Sequence, residues 1–146
     1  MIVFGNQDDA RAISDMAKVA FDPQRDKVIA SIRDGILMGG VIYTGFASAS
    51  CYVHFAGLRR NWICRDLLWV SFDYPFKQLS FDRIYGVVPE SNHRSIRLVV
   101  HLGFFEVTRI PRRYRDGGGD IVYAIDYERA KQWLQIKPRM FKTGVS

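Results

Sequence analysis

Three groups of side chains in this sequence are of types that do chemistry. The first is a run of guanidinium groups: Arg59, Arg60 and Arg65 lie close together, with Asn61, Trp62, Ile63 and Cys64 between them. A helix is predicted to begin at Arg65. The arginines therefore flank a helix N-terminus, where unpaired amides and the positive end of the dipole already attract anions. Charge-assisted hydrogen bonds to phosphate are about twice as strong as neutral ones, so the run reads either as a phosphate site or as a solvated loop. The second group is His54, placed inside a stretch from Gly35 to Leu58 that has no Asp, Glu, Lys or Arg. An unperturbed imidazole titrates at about 6.5 and is suited to moving protons near neutral pH; the alternative is a histidine bonded within a sheet. The third is the densest basic run, Arg109, Arg112, Arg113 and Arg115 around Tyr114. It either binds nucleic-acid phosphates with the tyrosine stacking on a base, or forms a solvated hairpin loop.

The composition sets what can position these groups. With 146 residues, 48% hydrophobic and 14% aromatic, the chain can bury one sizeable core and is too short for two ordinary domains. Extended disorder is excluded, because this much apolar surface offsets the entropy of ordering. The net charge of +6 suggests a polyanionic partner. The first 34 residues hold five basic and six acidic side chains, so the excess lies entirely in the sixteen basic and nine acidic residues that follow. Cys51 and Cys64 have no zinc-ligand spacing and no secretory segment precedes them, which points to a reduced, cytoplasmic protein without a metal. Gly117-Gly118-Gly119 is no phosphate loop, since no Lys-Ser/Thr and no helix follow it.

The uncharged stretch is long enough to span a bilayer as a helix. Its glycines, its serines and threonines, and the β-formers on both sides of Thr44-Gly45-Phe46 instead predict two buried antiparallel strands, near Ile36–Tyr43 and Ser48–Ala56. No membrane partner is expected. A short strand, Met1–Phe4, precedes a helix that starts at Asp8-Asp9 and turns Ala12, Met16, Val19 and Ala20 inward. A second short helix is predicted over Lys27–Arg33. From Arg65 a helix carries Leu68, Phe72 and Phe76, and Pro75 is expected to push Tyr74 out of the α region and kink or end it. Ile84–Val88 reads as a strand, and Asn92 caps a helix with Ile96, Val99 and Val100 on one face and Gly103 past its end. Two strands, Phe104–Ile110 and Ile121–Asp126, flank a polar loop, and Glu128–Leu134 is a last helix. Hairpins and crossovers together require a mixed sheet. A single domain over residues 1–136 is expected, followed by a basic tail, 137–146.

This order, with Pro89-Glu90-Ser91-Asn92 leading into a helix that ends in Leu102-Gly103-Phe104, resembles the GNAT superfamily of acyl-CoA-dependent N-acyltransferases over nearly the whole chain. The resemblance implies an α/β fold with a mixed, mostly antiparallel central sheet and helices on both faces. It implies acetyl-CoA as cosubstrate, an amine acceptor that attacks the thioester directly, and a phosphate turn spanning Arg59, Arg60, Asn61, Trp62, Ile63 and Cys64 into Arg65. Trp62 and Cys64 stand where the family usually has glycines. Asn92 matches the asparagine that helps hold the pantetheine arm. His54, at the end of the strand entering the turn, is then the candidate base, with Glu90 the weaker second, and backbone amides around His54 and Phe55 would polarise the thioester carbonyl. Val99 occupies the place of the family's tyrosine acid, leaving His93, His101 or solvent to protonate the thiolate. The combination of Trp62, the run Phe72–Phe76, Arg83-Ile84, Asn92 and Leu102–Phe104 is similar to GNAT-like proteins of bacteriophages. The missing glycines and Val99 equally suit a catalytically degenerate member that binds nucleic acid or protein. The acceptor and any homodimer are left open.

Overall fold

The computed structural model describes residues 1–136; the tail 137–146 lies outside the described residues. The strands are β1 (Ile2–Phe4), β2 (Lys27–Arg33), β3 (Ile36–Thr44), β4 (Ser50–Gly57), β5 (Arg83–Pro89), β6 (Phe105–Ile110) and β7 (Asp120–Asp126). They form one seven-stranded sheet in the order β1-β2-β3-β4-β5-β7-β6. Every neighbouring pair is antiparallel except β4 with β5. A parallel pair needs a long crossover, and the helical segment between β4 and β5 supplies it.

Helix α1 (Gln7–Ala17) covers one face, packing Ala10 and Ile13 on Val28, Ala30, Ile42 and Ala56. Helices α2 (Arg65–Asp73), α3 (His93–Leu102) and α4 (Tyr127–Leu134) cover the other. There Leu67, Val70, Phe72, Val99, Leu102 and Ala130 join Val41, Tyr43, Val53, Ile84, Val88 and Ile125 in the main core. Helices thus flank the mixed sheet on both faces, as expected.

The expected second helix is instead strand β2. Its residues Val28 to Ser31 are all buried, because β1 and β3 bond to its edges while both of its faces are covered. A strand buried on two faces shows no alternation, so its apolar run passes for a short helix. In α1 the cap is Asn6, slightly ahead of the expected start at Asp8: its side chain accepts from the Asp9 amide at 2.8 Å, while Asp9 accepts from the Asn6 amide. The buried positions are Ala10, Ile13 and Ser14, and Met16 is exposed. In α3, Val99 and Leu102 are buried and Val100 faces solvent.

Pro75 does not displace Tyr74, which keeps helical angles of φ −57° and ψ −57°. The chain widens into a π-type turn, Tyr74–Gln78, closed by the Leu79 amide on the Tyr74 carbonyl at 3.1 Å. A proline leaves the carbonyl four residues back without its helical donor, here that of Ser71. The buried Tyr43 hydroxyl donates to that oxygen at 2.8 Å, so the helix carries a proline without an orphaned core carbonyl.

Candidate active site

The site begins where β4 and β5 part. They pair only at Ser50–Arg83, Cys51–Ile84 and Tyr52–Tyr85, yet β4 runs on to Gly57 and β5 to Pro89. Beyond the last pair lies a cleft of about 90 Å³, lined by Val53, His54 and Phe55 of β4, by Gly86 to Pro89 of β5, and by Ala17, Asn92, Ser95, Leu98, Val99 and Phe104. On its other edge β5 is tied to β7 by Arg83, whose guanidinium bonds both carboxylate oxygens of Asp126 at 2.6 and 3.2 Å.

Antiparallel alternation determines which backbone groups open into this cleft. The Leu58 amide bonds to the Met38 carbonyl, and in the same register His54 is the partner of Ile42. His54 therefore directs its amide and carbonyl to β3, while its neighbours Val53 and Phe55 direct theirs toward β5. Past the parting point those groups, the Phe55 amide among them, have no strand opposite. Of the two amides named as candidates for polarising a carbonyl, Phe55 has the geometry; the His54 amide is turned toward β3.

His54 projects on the α1 face of the sheet, since paired residues share a face and Ile42 packs against α1. Its Nε2 lies 3.2 Å from the Thr44 hydroxyl. Burial holds the imidazole below the usual histidine range, and the Asp26 carboxylate pulls it partly back up. The ring is accordingly neutral at neutral pH and has a lone pair to accept a proton. The Asn92 side-chain oxygen accepts from the Ser95 amide at 3.2 Å, capping α3, and the residue still lines the cleft.

The arginine turn stands apart from this lining. Arg59, Arg60 and Arg65 are exposed and make no ion pair among the described residues. Asn61 takes φ +56°, the left-handed conformation that glycine or asparagine supplies most easily, and Arg33 donates to its carbonyl at 3.3 Å. Trp62 lies over Gly39 and Gly57, where a methyl at either position would overlap its indole. The glycines missing from the turn are thus found beneath it, in the sheet. Ile63 is exposed, and Cys64 caps α2 with no side-chain hydrogen bond to the helix. Cys64 and Arg65 face a separate open groove shared with Ser31 and Arg33.

The structure brings His54, Phe55 and Asn92 together and leaves Glu90, His93 and His101 outside the cleft lining. Val99 does line it and presents only methyl groups. Sequence reasoning missed Ser95, which shares the cleft face of α3 with Val99 one turn later; the i, i+4 spacing from Ser95 to Val99 was the available signal. It also missed Thr44, which no motif marks. The basic loop after β6 is organised on a buried carboxylate: Asp120 accepts from Tyr114 at 2.7 Å and lies 3.6 Å from Arg113, while Arg109 pairs with Glu106 at 2.9 Å. Burial pushes the Cys51 thiol up to about 12, so it stays protonated. Among the described residues no cluster of three His, Cys, Asp or Glu could hold a metal ion, and no helix is long and apolar enough to cross a membrane.

No family model and no curated protein matches the sequence. Solved structures do match the fold. The spermidine N-acetyltransferase SpeG from Vibrio cholerae, in complex with CoA and spermine, superposes with a TM-score of 0.73 at 13% identity, covering 90% of this chain and 97% of that one. An acetyltransferase of the GNAT family from Bacillus anthracis gives a TM-score of 0.63 at 17% identity, covering 87% and 94%. At such identities the likeness speaks for architecture alone, and the parted strands, the crossover helix and the seven-stranded order together give this chain the fold of the GNAT acetyltransferases.

Proposed function

We propose that the protein is an acetyl-CoA-dependent N-acetyltransferase, and the observation that carries this reading is the cleft between β4 and β5. A pantetheine arm carries two amides in an extended chain, and a strand edge with free amide and carbonyl groups binds such a chain as it would bind another strand. The Val53 and Phe55 backbone supplies that edge. About 90 Å³ of space holds roughly three waters, a size suited to a short acyl group. Arg59, Arg60, Arg65 and the first amides of α2 would meet the phosphates of the coenzyme. The acceptor would approach from the α1 face, where His54 projects.

In the reaction the acceptor ammonium gives a proton to neutral His54, and the freed amine attacks the thioester carbonyl. The oxyanion is stabilised by the Phe55 amide. Collapse breaks the C–S bond, and the CoA thiolate takes up the second proton from the attacking nitrogen. Val99 cannot deliver a proton, so this last transfer runs through solvent in the cleft. Amines are the first acceptors to try; polyamines lead, since the fold neighbour SpeG is a spermidine acetyltransferase complexed with spermine.

Calorimetric titration with acetyl-CoA tests the reading. Binding should persist at moderate salt and weaken about tenfold in Arg65→Ala, the loss expected for one charge-assisted phosphate contact. Absence of binding at millimolar acetyl-CoA would overturn it. A protein that binds acetyl-CoA but acetylates no amine would fit the catalytically degenerate binding module, the reading Val99 favours.

A further inference from the structure

Helix α1 packs on β2, β3 and β4, and among the described residues the other helices build the core on the opposite side of the sheet. The α1 side of β5, β7 and β6 is thus left without a helix. What it presents is aromatic. Tyr52 faces Tyr85 across β4 and β5, Tyr85 faces Ala124 across β5 and β7, and Phe105 faces Ala124 from β6. Three rings and one small residue therefore form a row over four strands. Alternation sends Cys51, Ile84 and Ile125 of the same strands into the main core and turns this row outward. The Tyr52 and Tyr85 ring centroids are 5.6 Å apart. Across Ala124 the Arg83 guanidinium bridges the remaining gap, 6.0 Å from the Tyr85 ring and 5.3 Å from that of Phe105. Tyr52 is 39% exposed and the Arg83 side chain 36%, so both planes are open to a partner. Neighbouring strands lie about 4.8 Å apart, which makes the row about 14 Å wide.

The same face ends in the basic loop. Asp120 has the strand parity of Val122 and Ala124, which places it on this side, and it holds Tyr114 and Arg113 there. The loop, residues 111–119, carries Arg112, Arg113 and Arg115 against one acid, Asp116, whose carboxylate accepts from the Gly118 amide at 2.8 Å. Arg83 is matched by Asp126 and Arg113 by Asp120. Arg112, Arg115 and Arg129, the last 5.2 Å from the Phe105 ring, have no carboxylate partner among the described residues. Flat surfaces in a row with unmatched cations beside them call for a partner that is both planar and anionic. A second copy laid face to face would set arginine against arginine, and a duplex hides the faces of its bases. We propose that the α1 side of β4, β5, β7 and β6 binds single-stranded nucleic acid. Bases stack on Tyr52, Tyr85, Phe105 and the Arg83 guanidinium, and phosphates meet Arg112, Arg115 and Arg129. A four-stranded sheet has room for two or three stacked bases.

Fluorescence anisotropy on the full-length protein tests this, with labelled oligothymidylate and oligouridylate of about fifteen nucleotides and a duplex of the same length as probes. Binding of either single strand, about tenfold tighter than the duplex, is the expected result, and the ratio between the two strands separates RNA from DNA. Tyr52→Ala and Tyr85→Ala should each weaken it about tenfold, the worth of one stacked base, with the salt dependence unchanged. Tyr85→Phe keeps the ring and should bind as the wild type does, which separates lost stacking from lost fold. Arg112→Ala combined with Arg115→Ala should instead flatten the salt dependence, by about 1.4 in the logarithmic slope for two phosphates. No binding of either strand at about 0.1 mM protein, the weak limit of phosphate-driven affinity, would overturn the proposal. A duplex bound as tightly as the single strands, or alanine variants with wild-type affinity, would do the same. So would a dimer in sedimentation that Tyr85→Ala disperses, because the face would then belong to a second copy. None of these measurements requires acetyl-CoA, so they stand apart from the titration that tests the cleft.

Discussion

The two faces of the sheet are built to different standards. On one, three helices and a π-type turn press twenty buried residues into a single cluster, with Phe72 set between Phe104 and Trp133 at ring separations of 6.4 and 6.3 Å. On the other, α1 alone buries a cluster of six, and the sheet beyond it leaves Tyr52, Tyr85 and Phe105 facing outward, with Arg83 over the latter two rings. The charge divides in a related way: the segment through Asp34 is slightly acidic, and the arginines of the turn come after it. A deep, rigid face suits a large cosubstrate that must be held in one pose. A shallow face suits an acceptor that arrives, reacts and departs. The cleft joins the two.

Removing Phe72 should break this comparison most severely. Phe72→Ala deletes a fully buried ring and should cost about 3–5 kcal/mol, a large share of a typical domain's stability. Denaturant unfolding would show it, and acetyl-CoA binding should weaken as well because Phe104 lines the cleft. A loss under 1 kcal/mol would mean the deep face is not the keystone. Ile13→Ala strikes the shallow face. Ile13 is a fully buried residue of α1, but it packs in a small cluster, so the cost should lie near the lower end, about 2–3 kcal/mol. Acetyl-CoA affinity should survive while acceptor turnover falls, since Ala17 at the end of α1 lines the cleft; equal loss of both would erase the distinction between the faces.

The smallest effect concerns pH. Burial lowers the folded-state titration of His54 below its unfolded value, so on acidification the unfolded chain binds a proton first. Stability should be constant above the unfolded value of about 6.5 and fall as the pH drops below it, levelling off once the folded ring also protonates. His54→Gln should lack this component of the slope. Unfolding curves at several pH values check it, and identical slopes in the two proteins would show that His54 is not desolvated in the folded state.

Much of the fold was legible because local signals agreed with the global arrangement. The uncharged glycine-rich stretch gave the central hairpin, Asn92 and Gly103 bracketed α3 at both ends, and the order of hairpins and crossovers required a mixed sheet. Strand β2 was misread because its burial on both faces erased the alternation by which strands are recognised. The α-helix does end at Asp73, beside the expected Tyr74; only the displacement of Tyr74 was misread, because the chain takes up Pro75 by widening into a π-type turn. The site divides similarly. His54, Phe55 and Asn92 stand on strand ends and a helix cap, places where a linear reading performs well. Thr44 reaches His54 only through the register of the β3–β4 ladder, which sequence spacing does not reveal.

The bond from Tyr43 to the Ser71 carbonyl also constrains how this sequence can change. A proline in a core helix is ordinarily purged, yet Pro75 is tolerated wherever a donor already reaches the oxygen it abandons. The hydroxyl therefore offsets the proline, and losing it while the proline stays should leave a buried acceptor unpaired at a cost of about 1–3 kcal/mol. Tyr43→Phe should accordingly cost more with Pro75 in place than in a chain carrying Pro75→Ala. Two positions on different elements, neither in the cleft, are in this way energetically coupled.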